Sequence, residues 1–169
     1  MGGAERHRRE AGEVSLGCAV VTVSDTRTPE TDESGALMGA LLKEAGHRIV
    51  AYHIVPDEPE QLHALLGELW RLPDCQVMLF SGGTGVSSRD RTCEVLRRWI
   101  ARELPGFGEL FRLLSYEQIG AAAALSRAMA GVGGGRLLFA LPGSPQGVEL
   151  ALRRLILPEL AHLWHMIHR

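Results

Sequence analysis

The sequence predicts an α/β protein: a three-layer fold whose mostly parallel sheet is covered by helices on both faces. Short, almost wholly apolar runs rich in β-branched residues alternate with stretches of helical periodicity, the pattern of a parallel sheet buried on both sides. Each such run is followed at once by small, hydroxyl or acidic residues, where a strand would end and a loop begin. The length of 169 residues, with 46% hydrophobic and 22% charged residues, fits one soluble domain around one core.

The first thirteen residues, MGGAERHRREAGE, are expected to form a flexible, solvated tail. They lack the apolar stretch of a signal peptide, and Arg6 stands where myristoylation prefers Ser or Thr. Leu16–Ser24, LGCAVVTVS, reads as a buried strand bounded by Gly17 and Asp25. Met38, Leu41, Leu42 and Ala45 then recur at helical spacing until Gly46 stops them. Arg48–Val55 reads as a second strand ended by Pro56, and Leu62, Leu65, Leu66, Leu69 and Trp70 as one apolar helix face. Val77–Ser81 is a third strand, and Val95, Leu96, Trp99 and Ile100 mark the helix after it. Residues 106–131 read as helix-rich with glycine breaks, and GVGGGR as a flexible turn. Arg136–Leu141 is a fourth strand, LPGSPQG a turn, Val148, Ala151, Leu152 and Leu155 a helix, and Leu160, Leu163, Trp164 and Ile167 a last helix around Pro158.

Charge and cysteine usage narrow the function classes. A formal net charge of −2 argues against a nucleic-acid binder working through a basic face. No apolar run approaches the roughly 18 residues needed to cross a bilayer. Cys18, Cys75 and Cys93 are odd in number and far apart, and read as reduced thiols of a cytoplasmic protein. His162, His165 and His168 recur on the last helix, but no carboxylate or cysteine clusters with them as a metal site requires.

In an open parallel sheet, ligands bind beyond the carboxyl ends of the strands. Those ends carry VSDTR, VPDE, SGGTGVSSRD and LPGSP. In the third, Gly82, Gly83 and Gly85 are expected to take positive φ and to bring N–H groups close to an anion. Thr84, Ser87 and Ser88 add hydroxyls, and a helix starting near Asp90–Thr92 would aim its positive end at the same place. The loop is not a Walker A sequence, since no G-K-[ST] follows, nor G-x-G-x-x-G, since residue 88 is serine; a nicotinamide-dependent reductase therefore lacks its fingerprint. A carboxylate beside an anion-binding loop repels phosphate unless a cation lies between, and Mg²⁺ takes one or two carboxylates with phosphate oxygens. Asp90 and Asp57 are the candidates. Spacing equally allows Asp90 as a helix cap and Asp57 in a capping box with Glu60.

SGGTGVSSRDRT, VPDE and LPGSP, together with DESG, PGFGELFRLLSYEQIG and LSRAMAGV, resemble the MoaB/MogA family of molybdenum cofactor biosynthesis. The likeness runs from about Val14 to the C-terminus and is closer to the MoaB branch. It implies a single molybdopterin-binding domain over residues 14–169. It also implies adenylylation of molybdopterin by Mg-ATP, giving adenylyl-molybdopterin and pyrophosphate, with ATP as co-substrate and Mg²⁺ as cofactor. By that resemblance Asp57 and Asp90 are catalytic and hold Mg²⁺, and Gly82, Gly83, Thr84, Gly85 and Thr92 contact phosphate or nucleotide. Ser24 and Asp25 face the same pocket, Pro142, Gly143 and Ser144 shape its nucleotide side, and Ser126 is a substrate contact. A homotrimer or a hexamer of two trimers is implied, as are other molybdenum cofactor biosynthesis proteins as partners. A non-catalytic molybdopterin-binding or scaffold role is the competing reading within the same fold; the intact Asp57 and Asp90 favour a working site. Cys93 departs from the family, which often has proline there.

Overall fold

The computed structural model describes residues 14–169; the tail expected over residues 1–13 lies outside the described residues. Six strands form one sheet in the order β2-β1-β3-β6-β5-β4. They are β1 (Gly17–Val23), β2 (Arg48–Val55), β3 (Val77–Ser81), β4 (Arg102–Glu103), β5 (Met129–Gly133) and β6 (Arg136–Leu141). β1, β2, β3 and β6 run parallel, while β5 is antiparallel to both β6 and β4. The helices are α1 (Glu33–Glu44), α2 (Pro59–Arg71), α3 (Thr92–Arg97), α4 (Pro105–Ile119), α5 (Pro145–Ala151) and α6 (Leu157–Ile167).

Side chains alternate across a strand, so each central strand feeds two cores. Cys18, Val20, Val77, Leu79, Leu137 and Phe139 pack with Met38, Leu42, Phe111, Val148 and Leu160 from α1, α4, α5 and α6. Ala19, Val21, Met78, Phe80, Leu138 and Ala140 pack with Leu62, Leu66, Leu69 and Leu96 from α2 and α3. This is the expected three-layer architecture.

Two strands, the two-residue β4 and the longer β5, were not legible as such. β5, MAGVG, lies where helix and a flexible glycine turn were expected; the helix stops at Ile119 and a 3₁₀ turn, Gly120–Leu125, follows. Its glycines are spatial necessities. A Cβ at Gly131 would strike Ile100, and one at Gly133 would strike the backbone carbonyl of Trp99. Trp99 and Ile100 are accordingly not in α3, which ends at Arg97; they cross β5 in a turn and pack on the α2–α3 core. The two final helices form one continuous run through a π-wound segment, Leu152–Ile156. That wider winding makes room for Pro158, which lacks an N–H and crowds the preceding turn.

Register decides where a site can form. Val55 pairs with Val23, Thr22 with Ser81, and Ser81 with Leu141, so four parallel strands end on nearly one line. The chain passes from β1 outward to β2, then returns to the other side of β1 as β3. The β1/β3 boundary is therefore the topological switch point, where a crevice opens beyond the strand ends.

Candidate functional site at the switch point

Beyond β3 the chain must turn sharply, and two glycines allow it: Gly82 has φ +104° and Gly83 φ +66°. Gly85 was expected to share this conformation, but its φ is not positive; it is glycine for space, since a Cβ there would lie 2.8 Å from Asp90 Oδ2. The LPGSP turn after β6 packs on this loop. Gly82 N–H donates to Leu141 O at 3.0 Å, and Gly143 sits against the Gly82 backbone. Ser144 caps α5 by accepting the Gly147 N–H, and Gly143 O accepts the Ser34 hydroxyl at 2.7 Å.

The loop's peptide groups are sorted by polarity. Gly82 O accepts the Thr92 hydroxyl at 2.9 Å and Gly83 O the Thr92 N–H at 3.1 Å. Thr84 O accepts the Arg127 N–H at 2.9 Å, and Gly85 O and Asp90 O each accept a guanidinium N–H of Arg127 at 2.7 Å. The N–H groups of Gly83, Thr84 and Gly85 find no acceptor among the described residues. Carbonyls are tied down while these donors stay open, the polarity an anion needs.

Two carboxylates flank the loop. Asp57 is buried after β2, and Asp90 stands on the far side against Gly85. The capping-box alternative for Asp57 does not hold. Glu58 is the N-cap of α2 without a side-chain bond, and Asp57 instead accepts the Arg91 N–H at 3.2 Å across 34 residues. Asp90 does not cap α3 either, whose N-cap is Arg91; its Oδ2 accepts the Ser87 N–H at 2.8 Å and closes the turn. Burial pushes the Asp57 carboxyl above its ordinary range; the charges of Asp90 and Asp25 push the same way, against the Arg91 N–H and the Arg89 charge. Asp25 goes the other way: its bond from Arg89, at 2.6 Å, holds it below the usual carboxylate range. Arg89 also donates to Glu58, so this guanidinium neutralises the outer acids and makes no bond to the inner pair.

The other expected residues divide by position. Ser24 lines a small cavity of about 100 Å³ with Thr22, Asp32, Ser81 and Gly143, and its hydroxyl oxygen accepts the N–H groups of Thr26 and Arg27. Asp25 accepts the Asp57 N–H at 3.2 Å, fixing the neighbouring acid's backbone. Thr92, expected among the ligand contacts, is fully buried behind the loop with its hydroxyl engaged, so it shapes the loop from within. Ser126 follows the 3₁₀ turn and lines a cavity of about 400 Å³ on the far side of Arg127. Sequence reasoning missed Arg127 and the buried Asp32, which accepts the hydroxyls of Thr22 and Tyr52 and the Gly35 N–H. Both lie inside quoted motifs, LSRAMAGV and DESG, which were the available signal. On the last helix His162 pairs with Glu159 and His168 with the Trp164 carbonyl.

A glycine loop with open N–H groups between two acids, at the switch point of a parallel sheet, defines an α/β protein with a candidate anion site. Comparison with known proteins places it further. The model of a probable molybdopterin binding domain matches residues 19–162. The chain is 49% identical to molybdenum cofactor biosynthesis protein B of Bacillus subtilis over 168 residues, covering 98% of this chain and 97% of that protein. It is 46% identical to the Bacillus cereus protein of the same name, with 96% of each covered. A crystal structure of molybdenum cofactor biosynthesis protein B superposes with a TM-score of 0.90 at 46% identity, over 94% of this chain and 99% of that one. The tungsten cofactor synthesizing protein MoaB of Pyrococcus furiosus gives 0.82 at 34% identity, over 92% and 98%. The chain belongs to this molybdopterin-binding domain family, on its MoaB side. Among the described residues no helix is long and apolar enough to cross a membrane.

Gly83 is glycine for space as well as for φ. A Cβ there would meet Thr92 Oγ1 and the Asp57 carboxylate, not an open phosphate site. At Gly46, with φ +88° and nothing within 4 Å, an added Cβ would meet backbone strain alone. Gly83→Ala should therefore lower the melting temperature more than Gly46→Ala, by about 2–4 °C for each additional kcal/mol. Equal drops in parallel thermal melts would show that the loop does not pack as described.

Proposed function

We propose that the protein acts in molybdenum cofactor biosynthesis by adenylylating molybdopterin with ATP, releasing pyrophosphate. The observation that carries this reading is the pair Asp57 and Asp90 on either side of a glycine loop whose N–H groups are open. Its family and its relatives' names support a place in molybdenum cofactor biosynthesis. In the proposed reaction a terminal phosphate oxygen of molybdopterin attacks the α-phosphorus of ATP. The bond from that phosphorus to the bridging oxygen breaks, and pyrophosphate leaves.

The residues present fit a magnesium ion shared with phosphate. Among the described residues no cluster of three or more His, Cys, Asp or Glu forms a closed metal cage. A phosphate-bound Mg²⁺ needs only one or two carboxylates, and Asp57 and Asp90 are near enough for each other's charge to be felt. When bound, the ion supplies neutralising charge between the carboxylates and the phosphates. The chain does the rest by holding: Gly83, Thr84 and Gly85 offer N–H groups to phosphate oxygens, the PGS turn at Pro142–Ser144 bounds the nucleotide side, and the Ser126 cavity receives the pterin. Such a transfer depends on alignment and charge more than on covalent help.

Asp90→Asn tests the reading, because asparagine keeps an acceptor for the Ser87 N–H and removes the charge. Molybdopterin-dependent pyrophosphate release from Mg-ATP should fall by about 100-fold or more, with melting shifted by less than about 2 °C. A variant that turns over at the parental rate would return Asp90 to a turn-closing role.

The same reading includes self-assembly into a homotrimer or a hexamer of two trimers. On α4, Phe111 is buried in the core and Phe107 and Leu114 pack against it. The surface is supplied by Leu110, Leu113, Tyr116 and Ile119, each at least half exposed along α4. An apolar groove of about 370 Å³ adjoins them, lined in part by Leu104, Phe139, Leu155 and Leu163. Light scattering at micromolar concentration should give a trimer or a multiple of it; a monomer contradicts the assembly.

A further inference from the structure

Arg127 lies 37 and 42 residues from the carbonyls it holds, and no secondary-structure requirement places it there. Its own N–H takes Thr84 O, its Nε takes Gly85 O, its Nη2 takes Asp90 O, and its Nη1 pairs with Glu94 on α3. One residue thus engages three of the six bonded carbonyls between Gly82 and Asp90; Thr92 engages two, and Ser87 O accepts the Asp90 N–H. Its backbone is held in turn: Arg127 O accepts the Cys93 thiol at 3.2 Å, and Arg112 donates to the carbonyls of Ser126 and Ala128 on either side. The guanidinium is also a wall shared by two openings, the Ser126 cavity and a shallower one along Ser87, Asp90 and Glu94.

These bonds have a directional consequence. A carbonyl left free at Gly85 or Asp90 could rotate toward the phosphate site, where its partial negative charge would oppose an anion. A peptide plane that turns its C=O out also turns away the N–H of the next residue: Val86 for the Gly85 carbonyl, and for the Asp90 carbonyl Arg91, whose N–H holds Asp57. A planar, permanently charged fork can fix two carbonyls at once, whereas a point charge cannot.

We propose that Arg127 is a positioning residue for the phosphate loop: its backbone N–H fixes the Thr84–Gly85 peptide, and its guanidinium keeps the carbonyls of Gly85 and Asp90 turned inward, so that the Gly85 amide and the Arg91 amide that holds Asp57 keep their places around an anionic ligand. This deepens the adenylyl-transfer reading and rests on it for the identity of the anion. It does not require Arg127 itself to touch substrate.

The test uses the full chain with Mg-ATP as probe and three variants: Arg127→Ala, Arg127→Lys and Glu94→Gln. Amide spectra of the unliganded proteins should show Val86 and Arg91, whose peptide planes the guanidinium holds, displaced in Arg127→Ala. Calorimetry should show its dissociation constant for Mg-ATP raised by about 10- to 100-fold, the effect of losing an orienting contact. Millimolar guanidinium should restore part of that affinity, since the neighbouring cavity of about 400 Å³ gives it access. Arg127→Lys, included in case the alanine variant does not fold, should bind Mg-ATP more weakly than the parent. Glu94→Gln, which spares the loop bonds, should change affinity by less than about fivefold. Parental affinity in Arg127→Ala or Arg127→Lys overturns the proposal, as do unchanged loop amides in either. If the parent binds no Mg-ATP, the adenylyl-transfer reading falls, and the loop amides alone still decide whether Arg127 positions the loop.

Discussion

A chain leaving the middle of a buried parallel sheet must satisfy its carbonyls within a few residues, or leave them oriented at random toward the crevice. Here Thr92 and Arg127 satisfy them from beneath, and everything else at this end of the molecule depends on that. The positive φ of Gly82 and Gly83 is what turns the carbonyls toward those two residues. The N–H groups left over face the other way in the bonding ledger, and they make the loop a candidate receptor for anions. Side chains are excluded for the same reason: at Gly83 and Gly85 the missing Cβ is space taken by Thr92, Asp57 and Asp90.

Around that loop the acids form two layers. Asp25 and Glu58 share Arg89 and are neutralised at the surface, where such pairs contribute modestly to stability. Asp57 lies further in, bonded by a single backbone N–H from the Arg91 peptide, and its carboxyl is pushed up by burial and by neighbouring acids. A carboxyl held in that state is destabilised as an anion, which a cation bound beside it would relieve. The outer layer also serves the inner one, since Asp25 accepts the Asp57 N–H. Among the described residues no cationic side chain bonds either inner carboxylate, which leaves both open to a shared metal ion.

What could be read from sequence follows from how local each cause is. β1, β3 and β6 were legible because alternating apolar residues must fill cores on both sheet faces. β5 was not, because Met129–Gly133 is selected for smallness against Trp99 and Ile100, and Ala and Gly carry no strand signal. The glycine loop and its two acids were legible as a group, since they follow strand ends directly. Their local alternatives were not separable by spacing. Asp57 fits a capping box on paper, yet its partner is the Arg91 peptide, brought in by the fold. Gly85 could not be distinguished from Gly82 and Gly83, because a glycine needed for space and one needed for φ look alike in sequence. Arg127 was invisible as a loop anchor for the same reason: its bonds are wholly tertiary.

The central claim is that the loop presents open amides to the phosphates of a nucleotide. Titrating Mg-ATP into the isotopically labelled protein and following its backbone amides tests it most directly. The account predicts that the largest shifts fall on Gly83, Thr84 and Gly85, with Gly82 and Thr92, whose N–H groups are already bonded, moving less. Shifts centred elsewhere on the sheet, with these three amides unmoved at saturation, would contradict it.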